Sequence, residues 1–213
     1  IEPETGKLVH EVVEEIVGKN RKLAVISGPT FAKKVGLGMP TAVTVASSDP
    51  DYAEHIVRAL HGNGFRAYTS DDIIGVEVGG SVKNVLAIAV GIADGLGLGA
   101  NTRAGVITRG LAEIMRLGEA MGGRRDTFMG LAGLGDLVLT CTDDQSRNRR
   151  MGLALAKGKS VAQALAEIKQ VVEGVRAAPE VMRLARKHNV DMPISEQVVK
   201  VLAGEITAVD AVR

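Results

Sequence analysis

One lysine stands out because its neighbours in the sequence are almost all apolar. Lys83 lies in GGSVKNVLAIAVG, residues 79–91, a composition that predicts a helix buried on every side. Desolvation there makes the ammonium easier to deprotonate, so that the lysine could exchange protons with a substrate near neutral pH. The alternative is that Lys83 occupies the first turn of its helix and extends into water. Gly79 and Gly80 favour the first interpretation, because they let a ligand or another segment approach the backbone closely.

A second candidate is the aspartate in GLGDLVLTCTDDQSRNRR, residues 133–150. Asp136 lies between a glycine turn and an apolar run. Its carboxylate could cap the free amides of a helix start, which is a favoured use of aspartate. It could instead orient a lysine ammonium or a substrate hydroxyl. The local sequence favours the cap.

The same segment ends in a cluster of hydroxyl, amide and guanidinium donors at a predicted helix N-terminus. Free backbone amides and the helix dipole favour an anion there, and arginine can bind phosphate through two parallel hydrogen bonds. The alternative is a solvated basic face paired with Asp143 and Asp144. On local grounds neither interpretation is favoured for the five residues of this cluster. In order these are Ser146, Arg147, Asn148, Arg149 and Arg150.

Three weaker patterns concern loops and helix starts. SGPTFA, residues 27–32, ends a predicted strand and could offer backbone amides to a ligand, although ordinary strand-to-helix turns look the same. Glu173 could be a helix N-terminal carboxylate and nothing more. Residues 95–100 fit the GxGxxG/A spacing, but they follow a predicted helix. Because a dinucleotide fingerprint needs a preceding strand, we reject this match.

Composition excludes several classes of function. The net charge is +1 and only five residues are aromatic, so neither an electrostatic field for nucleic acid nor a base-stacking platform is expected. Cys141 is the only cysteine, which suits a reducing cytoplasm, and the four scattered histidines predict no metal site. Gly91 and Asp94 break the most apolar stretch, around residues 85–92, and Lys83 and Asn84 precede it, so we expect no membrane span. No signal peptide is visible, and the start at Ile1 suggests that residues upstream are missing.

The elements that must position these residues change in kind along the chain. Residues 4–20 have helical spacing of apolar positions, whereas residues 22–30, 41–49 and 65–70 predict strands. Asp49-Pro50 opens a helix through residue 60. This alternation predicts an α/β segment up to residue 75.

From residue 76 onward the patterns predict only helices. They cover residues 82–95, 101–123, 147–157, 161–168, 173–188 and 195–202. In the second of these, Arg109 and Glu113 fall on the polar face as an i, i+4 pair.

Taken together, these stretches resemble bacterial-type NAD(P)-dependent glycerol-3-phosphate dehydrogenases. The matching segments are AVISGPTFA, GVEVGGSVKNVLAIAVGIADGLGLGANTRAGVITRGLAE, FMGLAGLGDLVLTCTDDQSRNRRMG, VVEGVRAAPEV and MPISEQV. They occur in family order over nearly the whole chain. The resemblance covers the last two thirds of the family's sequence, without the Rossmann half that carries GxGxxG and without a substrate-side lysine just upstream.

The resemblance implies a fold and a role for each candidate residue. Residues 1–75 would be the C-terminal part of a Rossmann-type dinucleotide-binding α/β domain, and residues 76–213 an all-helical substrate domain. Lys83 would be the general acid/base, and Asp136 would hold that lysine or the substrate hydroxyls. Arg149 and Arg150 would stay solvated. The other substrate-side residues would be Gly28, Thr30, Ser146, Arg147 and Asn148. The cofactor side would include Ala32, Val171 and Glu173, with Arg147 reaching it as well.

The implied activity is interconversion of dihydroxyacetone phosphate and sn-glycerol 3-phosphate with NAD or NADP, in the cytoplasm, for phospholipid synthesis. The resemblance leaves the choice of dinucleotide open, leaves room for a homodimer, and predicts that this chain alone is inactive or nearly so. Two alternatives stay open at this point. One is a related two-domain dehydrogenase of a hydroxy acid or sugar phosphate, and the other is a non-catalytic helical phosphate-binding or assembly module.

Overall fold

The computed structural model of the chain describes residues 1–212 and divides into an α/β part and a helical part. The first part contains α1 (Val9–Val17), β1 (Val25–Ser27), α2 (Ala32–Gly36), β2 (Thr41–Ala46), α3 (Pro50–Leu60) and β3 (Phe65–Ser70). The helices α4 (Ile73–Gly95), α5 (Gly99–Ala120) and α6 (Arg125–Met129) follow, and then a π-helical turn (Leu131–Gly135) and α7 (Asp136–Thr142). The chain continues through α8 (Arg147–Ala156), α9 (Val161–Ile168), α10 (Glu173–Lys187), α11 (Pro193–Ala203) and a 3-10 turn (Asp210–Val212).

The α/β part is built on a three-stranded sheet of order β1-β2-β3. β1 runs antiparallel to β2, and β2 runs parallel to β3. The buried side chains of Val43, Val45 and Ala67 pack with apolar residues of α3. Asp49 caps α3 by accepting a 2.9 Å hydrogen bond from the amide of Tyr52, with Pro50 in the first turn. The predicted strands and this helix are therefore confirmed.

Helix α4 begins about nine residues earlier than the apolar pattern predicted. Asp72 caps it, with its Oδ1 accepting from Gly75 N at 2.8 Å and its Oδ2 from Arg124 N at 2.8 Å. The helix runs unbroken past residue 75, where the sequence placed a domain boundary, and that division stays a prediction. Within residues 1–212 strands occur only before α4. The fold class, an α/β segment followed by helices, is confirmed.

The apolar stretch at α4 was expected to be too short for a membrane span, and this expectation about its length was wrong. The helix covers 23 residues and is apolar enough over an 18-residue window to cross a bilayer, because its added first turns contribute further apolar residues. However, 67% of that window is buried inside the protein. Its surface packs against α5, α7, α8, α10 and α11. This burial is typical of a core helix.

The large core surrounds α4 and is formed almost entirely by the helical part. Its bulkiest buried side chains include Leu86, Ile88, Ile114, Leu117, Phe128, Leu137 and Met151. Glycine allows α8 to come very close to α4, since a Cβ on Gly91 would lie 2.2 Å from the carbonyl oxygen of Arg149. This contact brings the start of α8 toward the helix that carries Lys83.

The predicted Arg109–Glu113 pair is not formed. Glu113 is only 1% exposed, and its carboxylate accepts from Ile194 N at 2.6 Å, Ser195 N at 3.1 Å and Ser195 Oγ at 2.7 Å. Because α11 packs on this side of α5, the apparent polar face is partly an interface. Glu113 satisfies the free amides at the α11 N-terminus.

Candidate active site

Lys83 lies in the middle of α4 and forms an ion pair with Asp136 on α7. The Lys83 side chain is 17% exposed and that of Asp136 is 4% exposed. The interpretation of Lys83 as a first-turn residue extending into water is therefore wrong, because α4 begins well before it. Gly80, one turn earlier, makes room for β1, since a Cβ there would lie 3.1 Å from Ser27 Oγ.

The Asp136 carboxylate is held inside the protein by its own helix and by β1. Thr140 Oγ1 donates to the Asp136 carbonyl oxygen at 2.6 Å and lies 3.3 Å from Oδ1. Burial raises the pKa of Asp136, although Lys83 and the hydroxyls of Thr140 and Ser27 partly oppose the shift. Asp136 is not a helix cap, because the chain is already helical through the preceding π-helical turn.

Ser146, Arg147 and Asn148 begin α8, as predicted, but their side chains differ in exposure. Ser146 is the N-cap, and its buried Oγ accepts from Arg149 N at 3.2 Å. Arg147 is partly exposed and lies 3.5 Å from the carboxylate of Glu173 at the start of α10. Of the three side chains, Arg147 is therefore the one most available to an anion from outside.

Asn148 is buried in a bridge of amide hydrogen bonds between α4, α8 and α10. Its Nδ2 donates to Asn84 Oδ1 at 2.8 Å, and its Oδ1 accepts from Gly174 N at 2.8 Å. Asn84 in turn donates to Glu173 Oε2 at 3.1 Å. The residues that follow Lys83 and Arg147 in the sequence thus join the helices on which those two cations lie.

Arg149 is not a solvated residue, contrary to the sequence-based interpretation. Its side chain is 11% exposed, with NH1 3.0 Å from buried Asp94 and Nε 3.3 Å from Asp144. Arg103 donates to both oxygens of Asp94, at 2.9 and 3.0 Å. Arg150 is likewise only partly exposed, with its Nε buried. Packing of α8 on the C-terminal half of α4 encloses these side chains.

The loop after β1 lies beside Asp136. Ser27 contacts the Asp136 carboxylate, and Pro29 lies close to Gly135. Gly28 is buried between them, whereas Thr30 is exposed and its hydroxyl donates to Gly28 O at 3.3 Å. The structure therefore brings this predicted substrate-side loop to the Lys83–Asp136 pair.

The two remaining candidates are both exposed. Ala32 is the first residue of α2, and Val171, which is 53% exposed, precedes Glu173 by two residues. The rejected glycine pattern at 95–100 begins at the end of α4 and reaches the first residues of α5. It follows a helix and not a strand, so its rejection as a dinucleotide fingerprint is confirmed.

A cleft of about 300 Å³ adjoins the site and includes Ser27, Gly80, Ser81 and Glu77 in its walls. A larger cavity, about 640 Å³, lies between α5, α11 and the last described residues and shares no side chain with the Lys83 site. We place the chemistry beside the first region, since Ser27 lines that cleft and also contacts the Asp136 carboxylate of the buried ion pair. Within residues 1–212 no group of three histidine, cysteine, aspartate or glutamate side chains is placed to hold a metal ion.

This arrangement combines a proton-bearing amine with a cationic anion-binding group. An ammonium such as that of Lys83 can donate a proton to an oxygen on which charge develops. Arg147 and the N-terminus of α8 suit an anionic group carried by the same ligand. Three members of the site were missed by sequence reasoning, namely the side chains of Ser27, Asn84 and Thr140. Thr140 has the i, i+4 spacing to Asp136 as a signal, whereas Asn84 and Ser27 have only their adjacency to Lys83 and Gly28.

An α/β segment followed by helices that carry an internal lysine–aspartate pair fits the class of dinucleotide-dependent dehydrogenases. Residues 72–213 match the family model described as the NAD-dependent glycerol-3-phosphate dehydrogenase C-terminus, and residues 1–53 match the N-terminus model of the same enzymes. The chain therefore belongs to the NAD-dependent glycerol-3-phosphate dehydrogenase family. The resemblance seen in the sequence is confirmed.

Individual relatives agree with this assignment. The glycerol-3-phosphate dehydrogenase of Stenotrophomonas maltophilia strain K279a is 56% identical over 212 residues, which are 100% of this chain and 62% of that protein. That of Nitrosococcus oceani is 62% identical over 202 residues, covering 95% of this chain and 59% of that protein. The chain thus spans about three fifths of the length of these curated relatives.

Solved structures show the same fold. A crystal structure of glycerol-3-phosphate dehydrogenase from Coxiella burnetii superposes with a TM-score of 0.95 at 50% identity, covering 98% of this chain and 64% of that one. The enzyme from Dunaliella salina, at 23% identity, has a TM-score of 0.89 over 97% of this chain and 37% of its own, which shows the fold alone.

Proposed function

We propose that this chain carries the substrate domain of an enzyme that interconverts dihydroxyacetone phosphate and sn-glycerol 3-phosphate with NAD(P)H and NAD(P). The observation that supports this proposal most is the buried Lys83–Asp136 ion pair on a helix that the Asn84–Asn148 hydrogen bond joins to the helix carrying the partly exposed Arg147. The division into a dinucleotide-binding part, residues 1–75, and a substrate domain, residues 76–213, belongs to the same proposal.

Lys83 is the proton donor of the reduction. When the carbonyl carbon gains a hydride, the carbonyl oxygen becomes an alkoxide, and the Lys83 ammonium gives it a proton to form the hydroxyl of the product. In the reverse direction the neutral amine takes that proton back. Asp136 orients the Lys83 amine through their ion pair. The Thr140 hydroxyl in turn holds the Asp136 carboxylate in place.

The phosphate end is bound by the start of α8. Arg147 contributes a planar pair of donors, and the Ser146 hydroxyl at the N-cap position contributes a further donor. Asn148 Nδ2 uses one of its two hydrogens on Asn84 and has the other available for the phosphate. Gly28 and Thr30 line the opposite wall, because their loop contacts the Asp136 region.

Ala32, Val171 and Glu173 form the side assigned to the dinucleotide, with Arg147 between the two sides. The fit is supported by the exposure of the Val171 side chain and by the Glu173 carboxylate, which can accept hydrogen bonds from an amide. A nicotinamide dinucleotide, when bound, supplies or accepts the hydride.

The test is turnover measured as dihydroxyacetone-phosphate-dependent oxidation of NADH and of NADPH. It compares this chain alone with a fusion in which the preceding N-terminal segment of the Stenotrophomonas maltophilia relative is joined to Ile1. We expect turnover by the fusion and little or none by the chain alone, since no strand-borne GxGxxG occurs in its sequence. Failure of a folded fusion to turn over would contradict the proposal.

Lys83→Met in the fusion separates catalysis from binding. We expect kcat to fall by about 10²- to 10⁴-fold, the range for removing a general acid. Lys34→Met, an exposed lysine of α2, is the matched control and keeps normal turnover. Normal turnover by the Lys83 variant would instead favour a module in which this lysine is structural.

A further inference from the structure

The carboxylate of Glu173 contacts both Arg147 on α8 and Asn84 on α4. Its Oε1 lies 3.5 Å from an Arg147 guanidinium nitrogen, and its Oε2 accepts from Asn84 Nδ2 at 3.1 Å. Glu173 is thus the acidic partner of the most accessible cation in the site, and Asn84 fixes its position. A carboxylate in this position occupies a hydrogen-bond donor of the Arg147 guanidinium that an incoming anion would use.

The Arg147–Glu173 contact is easily replaced. It is long, and the side chains are 37% and 57% exposed, which makes it a solvent-screened pair of low strength. A phosphate monoester carries up to two negative charges and can accept two parallel hydrogen bonds from one guanidinium. The phosphate is therefore the stronger ligand, although it must first displace Glu173.

The displaced carboxylate does not leave the site. Asn84 is buried, and its side chain is itself held by Asn148 at 2.8 Å, so the hydrogen bond to Glu173 Oε2 keeps that oxygen nearby. A negative charge then stays next to the bound phosphate and repels it.

We propose that Glu173 is a specificity-determining residue that competes with the substrate phosphate for Arg147 and so weakens the binding of phosphate monoesters. This inference rests on the proposed function, since it takes Arg147 as the phosphate ligand. Its consequence is faster release of phosphorylated ligands than an unopposed arginine would allow. Unphosphorylated polyols, which do not need Arg147, are unaffected.

The test is isothermal titration of this 213-residue chain with glycerol 3-phosphate, inorganic phosphate and glycerol at constant ionic strength. We expect Glu173→Gln to tighten binding of the two phosphates by about 3- to 10-fold and to leave glycerol unchanged, because it removes one charge near the anion and keeps the hydrogen bond to Asn84. Glu54→Gln is the matched control, since Glu54 forms an exposed ion pair with Arg58 on α3. It should leave all three affinities unchanged.

Arg147→Met distinguishes failure of this inference from failure of the proposed function. If Arg147→Met weakens phosphate binding while Glu173→Gln leaves it unchanged or weakens it, Glu173 positions the arginine productively and the inference is wrong, although the phosphate site stands. If the native chain and the Arg147 variant bind phosphate equally, or neither binds it, the phosphate site is elsewhere and both proposals fail. Circular dichroism and the melting temperature of each variant verify that the fold is kept.

Discussion

Asn148 Nδ2 donates a 2.8 Å hydrogen bond to Asn84 Oδ1, and this contact joins the helix that carries Arg147 to the helix that carries Lys83. Both amides are buried, and Asn148 Oδ1 also accepts from Gly174 N at the start of α10. This pair of side chains thereby links α4, α8 and α10 at the site.

Asn148→Ala is expected to destabilise the chain by about 2–3 kcal/mol, since it removes two buried hydrogen bonds and leaves the Gly174 amide unsatisfied. Urea unfolding monitored by circular dichroism measures the loss. Asn101→Ala, at an exposed position of α5, serves as control and should change stability by less than about 0.5 kcal/mol. Equal stability of the two variants would show that the bridge contributes nothing.

The burial of Asp136 predicts a pH-dependent contribution to stability. Because burial raises its pKa in the folded state, the folded chain binds this proton up to a higher pH than the unfolded chain does. The contribution of Asp136 to the free energy of unfolding therefore falls as pH rises from about 4, the ordinary carboxyl range, through the raised pKa.

Asp136→Asn does not titrate in this window. The difference in unfolding free energy, native minus variant, should therefore decrease between pH 4 and pH 7 in urea titrations. A difference that stays flat or increases would mean that Lys83, rather than burial, controls this carboxyl group.

The hydrogen bonds of Glu113 to the start of α11 lead to a prediction about stability far from the Lys83 site. Glu113→Gln replaces one acceptor oxygen by a donor that faces the donors of Ile194 and Ser195. We expect a loss of about 2–4 kcal/mol in urea unfolding, because buried donors lose their partner. Hydrogen exchange at the amides of Ile194 and Ser195 should accelerate as well.

Glu119→Gln, on an exposed part of the same helix, is the matched control, because its contact with Arg125 is 3.8 Å long. A Glu113 variant as stable as this control would contradict the role of Glu113 in holding α11.

Cys141 is expected to be unreactive in the folded chain. It is fully buried, and burial raises the pKa of its thiol to about 12. Labelling with a thiol reagent at pH 8 should therefore be at least about 100-fold slower than in urea. Rapid labelling of the native chain would show that α7 opens readily, which would also expose Asp136.

Much of the secondary structure could be predicted from the sequence because its signals are local. The Asp49-Pro50 start of α3, the strand at residues 65–70 and the Ser146 cap of α8 all depend on residues within one turn of each other. The π-helical turn was missed, since Gly130, Gly133 and Gly135 are typical of a loop, and α7 was expected only as the helix that Asp136 would cap. Their helical conformation depends on packing against α4 and α6.

The candidate site divides in the same way. Lys83 and the start of α8 could be identified from composition, because a lysine among apolar residues and donors at a helix start are visible in a short window. The interpretations of Asp136 as a cap, Arg149 as solvated and Glu113 as a partner of Arg109 were wrong for a common reason. Each treated a side chain as if only its own segment surrounded it.

The sequence by itself determined the kinds of element, the candidate cations and the family resemblance, all of which follow from residue types at short spacing. The family resemblance already implied that Asp136 holds Lys83. Only the tertiary structure decided the other pairings, which join residues 64 positions apart for Asn84 and Asn148 and 82 for Glu113 and Ser195. The physical reason is that a buried polar group must find a partner wherever packing places one, and packing depends on all the helices together.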